Sequence, residues 1–294
     1  MKKNQFSQYL PNEVCSLLLK ESEELLEKIT EIRLRIGQPI IVYSNNNEKL
    51  LSYITTGAII KETVELISGY SLYAWESELR AGFITLPGGC RVGLCGKTVV
   101  EDEKVKTMVH ISGINMRIKH EVKGCSNAVL KLIPDLGHMV IISPPGCGKT
   151  TLLRDLARSI SNKGKTVAIV DERSEIAGSY MGVPQNDVGM RTDVLDRCPK
   201  DKGMTMLLRS MSPDVIVADE IGSKKDVEAI EQIANAGVKI ICTIHGSGID
   251  DIRERKHLKE LTGLFDNYIV LSAKSGPGTI EGIYNKNFEE MGLC

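Results

Sequence analysis

The sequence predicts an α/β fold in two parts, a smaller mixed α+β domain over residues 1–124 and a parallel central sheet flanked by helices over 125–294. Three observations predict it. Short apolar runs alternate with helical stretches through the second half, the order that builds a parallel sheet covered on both faces. In the first half, glycine turns interrupt apolar patterning of period two, as hairpins require. Composition turns polar between Glu121 and Asn127, and 294 residues are enough for two ordinary cores on either side of that point.

Element by element, the apolar positions Val14, Leu17, Leu18, Leu25, Leu26 and Ile29 recur at helical spacing, so Pro11 to Ile29 predicts an amphipathic helix or a helix pair. Ile32, Leu34 and Ile36 then alternate with Arg33 and Arg35, and Gly37-Gln38-Pro39 breaks the run before Ile40 to Val42, which predicts a hairpin. A helix is expected from Lys61 to Arg80, strands at Gly82 to Leu86 and Cys90 to Thr98 around Gly88-Gly89, and another strand at Gly113 to Ile118. Beyond the boundary come a strand at Met139 to Ile142, a glycine loop, a helix over Thr151 to Ser161, and strands at Val167 to Val170, Val215 to Ala218 and Ile240 to Ile244. Gly276-Pro277-Gly278 reads as a turn between strands Tyr268 to Ser272 and Gly278 to Tyr284, a tail in which the residues suggest no chemistry.

Composition narrows the function classes. Hydrophobic residues at 42% and charged ones at 26% give an ordinary globular balance, which excludes disorder. A net charge of −1 with only 4% aromatics offers neither the basic field nor the stacking platforms of a nucleic-acid binder, so no nucleic-acid partner is expected. No apolar run approaches the roughly 20 residues that span a bilayer, and the start carries no signal-peptide core, so a cytoplasmic location is expected. The eight cysteines are scattered, and the closest pair, Cys90 and Cys95, has neither zinc-ribbon nor redox spacing; they read as reduced thiols.

Ser143-Pro144-Pro145-Gly146-Cys147-Gly148-Lys149-Thr150 follows a buried strand and opens a helix, the setting a phosphate-binding loop needs. Gly146 and Gly148 let successive N–H groups turn toward phosphate, and the helix contributes its positive end. The segment from Pro145 to Thr151 (Pro145, Gly146, Cys147, Gly148, Lys149, Thr150, Thr151) is the expected nucleotide site, with Lys149 on the β- and γ-phosphates and the Thr150 hydroxyl on magnesium. Ser143 stands where such loops ordinarily begin with glycine. Asp219 and Glu220 end the strand Val215 to Ala218 at the edge where parallel sheets bind ligands. Asp219 is thus a magnesium candidate, and Glu220 a candidate for orienting or deprotonating water. Two more strand ends join them: Asp171-Glu172-Arg173-Ser174-Glu175, where Glu172 and Glu175 could polarise water, and His245, which could sense the γ-phosphate. The plainer alternatives are that Arg173 pairs with an acid and that His245 is a turn histidine. The implied ligands are ATP and Mg2+.

Leu208 to Glu220, Ala236-Gly237 and Thr243-Ile244-His245 resemble the core of the type II and type IV secretion ATPases and pilus motors; Asp171 to Glu175 is similar to that family's acidic box. Glu31 to Pro39, Gly88 to Gly96 and Asn115 to Ile118 extend the likeness nearly end to end, to the stage III AA branch of sporulation ATPases. The resemblance implies a RecA-like core, ATP hydrolysis and a homo-oligomeric, hexameric ring. It also implies work on integral membrane components of a secretion channel, with the chain peripheral at the mother-cell membrane. In that family N-terminal arginines reach a neighbour's phosphates, and Arg91 and Arg117 are the candidates here. Gly222 and Gly246-Ser247 depart from the broader family's pattern, so contacts from those positions do not carry over. A single-strand-stimulated ATPase and a nucleotide-dependent scaffold are the competing readings.

Overall fold

A computed structural model describes residues 7–44, 47–69, 75–118, 121–254 and 262–292, and the chain divides into two compact units, Met1–His120 and Glu121–Cys294. The first unit begins with α1 (Asn12–Leu18) and α2 (Glu23–Glu27), followed by β1 (Ile29–Arg35), β2 (Pro39–Ser44) and β3 (Asn47–Ile54). Next come α3 (Gly57–Ser68), α4 (Glu76–Ala81), β4 (Phe83–Thr85), β5 (Arg91–Glu101) and β6 (Lys104–Arg117). The strands form one antiparallel sheet in the order β3-β2-β1-β6-β5-β4. One face is apolar: Ile32, Leu34, Ile40, Val42, Val92, Leu94, Ile114 and Met116 join a core with Val14 and Leu18 of α1 and Ile60, Val64 and Ile67 of α3. Because side chains alternate along a strand, the other face carries Glu31, Arg33, Arg91, Asn115 and Arg117.

Several expectations are corrected here. Pro11 to Ile29 is a helix pair, but Ile29 already opens β1. Ile36 falls in the turn after β1 and is 47% exposed, so the alternation stops at Leu34. The helix expected over Lys61 to Arg80 is interrupted: Gly69 takes a left-handed φ of 57° and its N–H bonds the Glu65 carbonyl, which closes α3. Residues 70–74 of that expectation lie outside the described residues. The strand expected at Gly113 to Ile118 is the end of a 14-residue β6, whose paired arm with β5 is polar or half-exposed on both faces and so lacks a readable period.

The second unit runs α5 (Asn127–Leu132), β7 (Met139–Ser143), α6 (Lys149–Asn162), β8 (Val167–Asp171) and β9 (Thr192–Asp196), then α7 (Lys200–Ser210) and β10 (Val215–Ala218). It closes with α8 (Lys224–Asn235), β11 (Lys239–His245), α9 (Ile249–Glu254), β12 (Asn267–Ser272) and β13 (Thr279–Asn285). The sheet order is β13-β12-β7-β11-β10-β8-β9, parallel throughout except for the β12–β13 hairpin. Every residue of β7, β8 and β10 is buried. Val140, Ile142, Ala168 and Ile216 pack with Leu207 of α7 and Ile230 of α8, while Met139, Ile141, Ile169 and Val217 pack with Val129 of α5 and Leu153 and Leu156 of α6. This is the two-sided burial that continuous apolar strands demand. The edge strand β9 was not expected from sequence, since three of its five residues are Thr or Asp. Among the described residues, no helix is long and apolar enough to cross a membrane.

Candidate nucleotide site

The loop between β7 and α6 is built on two left-handed glycines, Gly146 at φ 75° and Gly148 at φ 86°. An L side chain in that region costs about 1–2 kcal/mol. Gly148 has a second constraint, because a Cβ there would lie 3.0 Å from the backbone nitrogen of Gly278. The Gly278 N–H donates to the Cys147 carbonyl at 3.0 Å, so the turn of the β12–β13 hairpin closes on the loop. Sequence reading assigned this tail no chemistry. Its signal was the Gly-Pro-Gly turn itself, which keeps side chains out of the space beside Gly148. Cys147 is buried and its thiol faces the Pro145 carbonyl at 3.7 Å. Ser143 is wholly buried, and its hydroxyl bonds the Pro144 carbonyl at 2.9 Å, so the usual glycine is replaced without an orphaned donor.

Lys149 folds its ammonium back onto the loop, donating to the carbonyls of Ser143 at 2.9 Å and Pro144 at 3.1 Å. Phosphate oxygens would be stronger, charge-assisted acceptors for it. The next residue, Thr150, donates its hydroxyl to Asp219 at 2.8 Å, and the other Asp219 oxygen accepts from the Thr243 hydroxyl. Thr243 also accepts the Glu220 N–H at 2.8 Å, and its carbonyl takes the Ile221 N–H at 2.8 Å. Both acids are therefore set by one threonine of the neighbouring strand, and Glu220 is held at a left-handed φ of 54°. A non-glycine residue persists there only when its surroundings fix it. Thr243 entered the expectations only within the stretch Thr243-Ile244-His245 and without a role of its own; a lone hydroxyl in the apolar run Ile240 to Ile244 was the visible signal.

The oxygens of Thr150 and Asp219 are the hard donors magnesium prefers. Among the described residues no three His, Cys, Asp or Glu side chains could hold a metal by themselves.

The acidic turn after β8 divides its roles. Buried Asp171 accepts the N–H groups of Glu175 and Ala177, both at 2.8 Å, and so shapes the turn. Arg154 of α6 donates to the carbonyls of Ile176 at 2.5 Å and Glu175 at 2.7 Å, tying the turn to the phosphate-loop helix. Glu172 is ion-paired with Lys200, whose side chain is only 15% exposed. Arg173 does pair with an acid: it meets Glu220 at 2.5 Å. His245 is exposed at the end of β11, in register with Ser143. Thr151 lies one turn-step into α6, its carbonyl facing the Cys125 thiol at 3.9 Å, and burial pushes that thiol up to about 11. Thr150, Asp219, Thr243 and Glu220 thus form one hydrogen-bonded group next to Lys149, with Glu172 held beside its own lysine.

At the far side of α6, Asp155 anchors the start of the unit. Its carboxylate accepts from the Ser126 N–H at 2.8 Å, the Ser126 hydroxyl at 2.7 Å and Arg158 at 2.6 Å. Burial alone would raise its pKa, but these bonds prevail and hold it near about 2.

Arg91 and Arg117 share the polar face of the N-terminal sheet. They are direct cross-strand partners, Glu31 lies opposite Arg117 on the other side, and the Arg91 guanidinium sits 3.6 Å from the centre of the Phe83 ring. Gly222, a position of departure, donates its N–H to Asp226 in the α8 capping box, and Ser247 bonds Asp251 at the start of α9. Both departures serve helix caps.

Residues 1–291 match the profile of the family described as Sporulation stage III, protein AA. Stage III sporulation protein AA of Bacillus subtilis is 40% identical over 294 aligned residues, covering 97% of this chain and 95% of the relative. Among solved structures, the ATPase DotB of Legionella pneumophila superposes with a TM-score of 0.62 at 16% identity, covering 88% of this chain and 75% of DotB. The pilus retraction motor PilT with bound ADP gives 0.59 at 18% identity, over 86% and 76% of the two chains. The architecture is accordingly that of the secretion ATPases, a RecA-like phosphate-loop core with a smaller N-terminal domain. By sequence the chain belongs to the Sporulation stage III, protein AA family.

Proposed function

We propose that this chain is an ATPase that forms a ring and drives a membrane-associated secretion channel during endospore formation. The observation that carries the reading is the hydrogen-bonded group Thr150, Asp219, Thr243 and Glu220 beside Lys149, whose ammonium bonds the glycine loop. ATP binds with its phosphates on the loop amides and Lys149, and Thr150 and Asp219 would hold a Mg2+ that would neutralise phosphate charge. Glu220 orients the attacking water. Glu172 assists from its pairing with Lys200, and Glu220 acts from beside Arg173. Arg91 and Arg117 meet a neighbouring subunit's phosphates, and phosphate release lets the N-terminal domain move, converting hydrolysis into motion handed to integral membrane partners. The chain works in the cytoplasm, at the membrane through those partners. Likeness to an ATPase and to a motor crystallised with ADP supports the chemistry, and the family supports the setting.

The test is Lys149→Ala. Turnover should fall to background while the circular dichroism spectrum is unchanged; retained hydrolysis would sink the assignment. Light scattering with a slowly hydrolysed ATP analogue and magnesium should then show a nucleotide-promoted hexamer, and turnover should be indifferent to added single-stranded DNA.

A further inference from the structure

Lys200 and Arg173 both pair with acids at the C-terminal edge of the sheet, and they are held differently. Lys200 is packed, with 15% of its side chain exposed, and grips Glu172. Arg173 is 64% exposed, projects from a turn whose backbone is held by Asp171 and Arg154, and meets Glu220 at 2.5 Å. Glu220 is thus paired with a largely exposed guanidinium and adjoins Asp219, which is bonded to Thr150 beside Lys149. A terminal phosphate brings about two negative charges and three acceptor oxygens to this end of the loop. Such a group outcompetes a half-exposed carboxylate for an arginine, whose planar fork matches phosphate geometry. Left without a cation, Glu220 and the γ-phosphate would also repel each other.

We propose that Arg173 is a further catalytic residue of this site: it rests on Glu220 when no nucleotide is bound and transfers to the γ-phosphate of bound ATP, releasing Glu220 to align water. This rests on the ATPase reading above. No bond is made or broken in the transfer; an ion pair exchanges its anion. Because ADP lacks the γ-phosphate, Arg173 stays on Glu220 in the ADP state, so the exchange makes the site discriminate between substrate and product.

The experiment is equilibrium binding of a slowly hydrolysed ATP analogue and of ADP to the full chain, with turnover as a second readout. Arg173→Ala should weaken the analogue by about tenfold or more, the scale of a lost charge-assisted hydrogen bond, and leave ADP within about twofold. Its turnover should fall, and Arg173→Lys should recover part of both. In a Glu220→Gln background the analogue should bind more tightly than to wild type, and that gain should vanish when Arg173 is also replaced. Equal effects on analogue and ADP, or none on either, would overturn the transfer. A rise in turnover for Arg173→Ala would overturn it too, since Arg173 would then only obstruct Glu220. Lys149→Ala separates the two readings: if it binds both nucleotides as wild type does, the ATPase reading fails, whereas a Lys149→Ala defect beside an unaffected Arg173→Ala removes Arg173 alone.

Discussion

In the C-terminal sheet, β7, β8 and β10 bury every residue, whereas the N-terminal sheet buries alternate residues and leaves Glu31, Arg33, Arg91 and Arg117 on its second face. The difference decides where each can carry chemistry. A strand covered on both sides has no room for unpaired polar groups along its length, so its acids and phosphate loop collect at the strand ends. Asp171, Asp219, Glu220 and His245 all sit there. A strand covered on one side can present charge along its whole length, and the arginines do so.

The sharpest way to break this comparison is to truncate one isoleucine in each sheet. Ile141 is wholly buried in β7, and Ile141→Ala should cost about 3–4 kcal/mol in urea denaturation. Ile54, at the end of β3, is 54% exposed, and Ile54→Ala should cost under about 0.5 kcal/mol. Similar losses would mean that Ile54 is covered by something in solution. The next effect comes from Asp155, a charge buried behind the doubly covered sheet. Asp155→Asn should cost about 2–3 kcal/mol at neutral pH, the scale of the depression to about 2. A depressed carboxylate contributes stability above its unfolded pKa, near about 4, and loses it as pH falls through the folded value. The gap between wild type and variant should therefore shrink from pH 4 to pH 2, and a gap that is constant across that window would show that packing, not charge, holds Ser126.

How much of this was legible depended on the same contrast. Continuous apolar runs marked β7, β8, β10 and β11 within a residue or two, because burial on both faces leaves no polar residue to blur them. The long arm of β5 and β6 and the edge strand β9 were blurred, since half-exposed strands tolerate Lys, Thr and Asp. In the site, motif spacing singled out Lys149, which bonds the carbonyls of its own loop, and Thr150 and Asp219, which bond each other. It could not show that Thr243 fixes both acids, that Lys200 holds Glu172 or that Gly278 caps the loop, because those partners are distant in sequence and meet only through the sheet order.

Gly148 tests that last contact. Gly148→Ala should destabilise by about 1–2 kcal/mol from its positive φ. It should also displace the Gly278 turn, read as faster amide exchange at Gly278. Strain without altered exchange would mean that the hairpin only rests against the loop.

The smallest effect carries the opposite sign. Arg117 faces Arg91 across β5 and β6, a like-charge pair that costs about 0.2–1 kcal/mol, with Glu31, itself ion-paired with Arg33, at the cross-strand position on its other side. If the arginines are there for phosphate and not for the fold, Arg117→Ala should raise stability by about 0.5 kcal/mol at low salt. In about 1 M salt, where screening acts within about 3 Å, the gain should vanish. Turnover of the assembled protein should nevertheless fall. A loss of stability that persists in salt would instead make Arg117 the structural partner of Glu31, and the polar face would then be explained by folding alone.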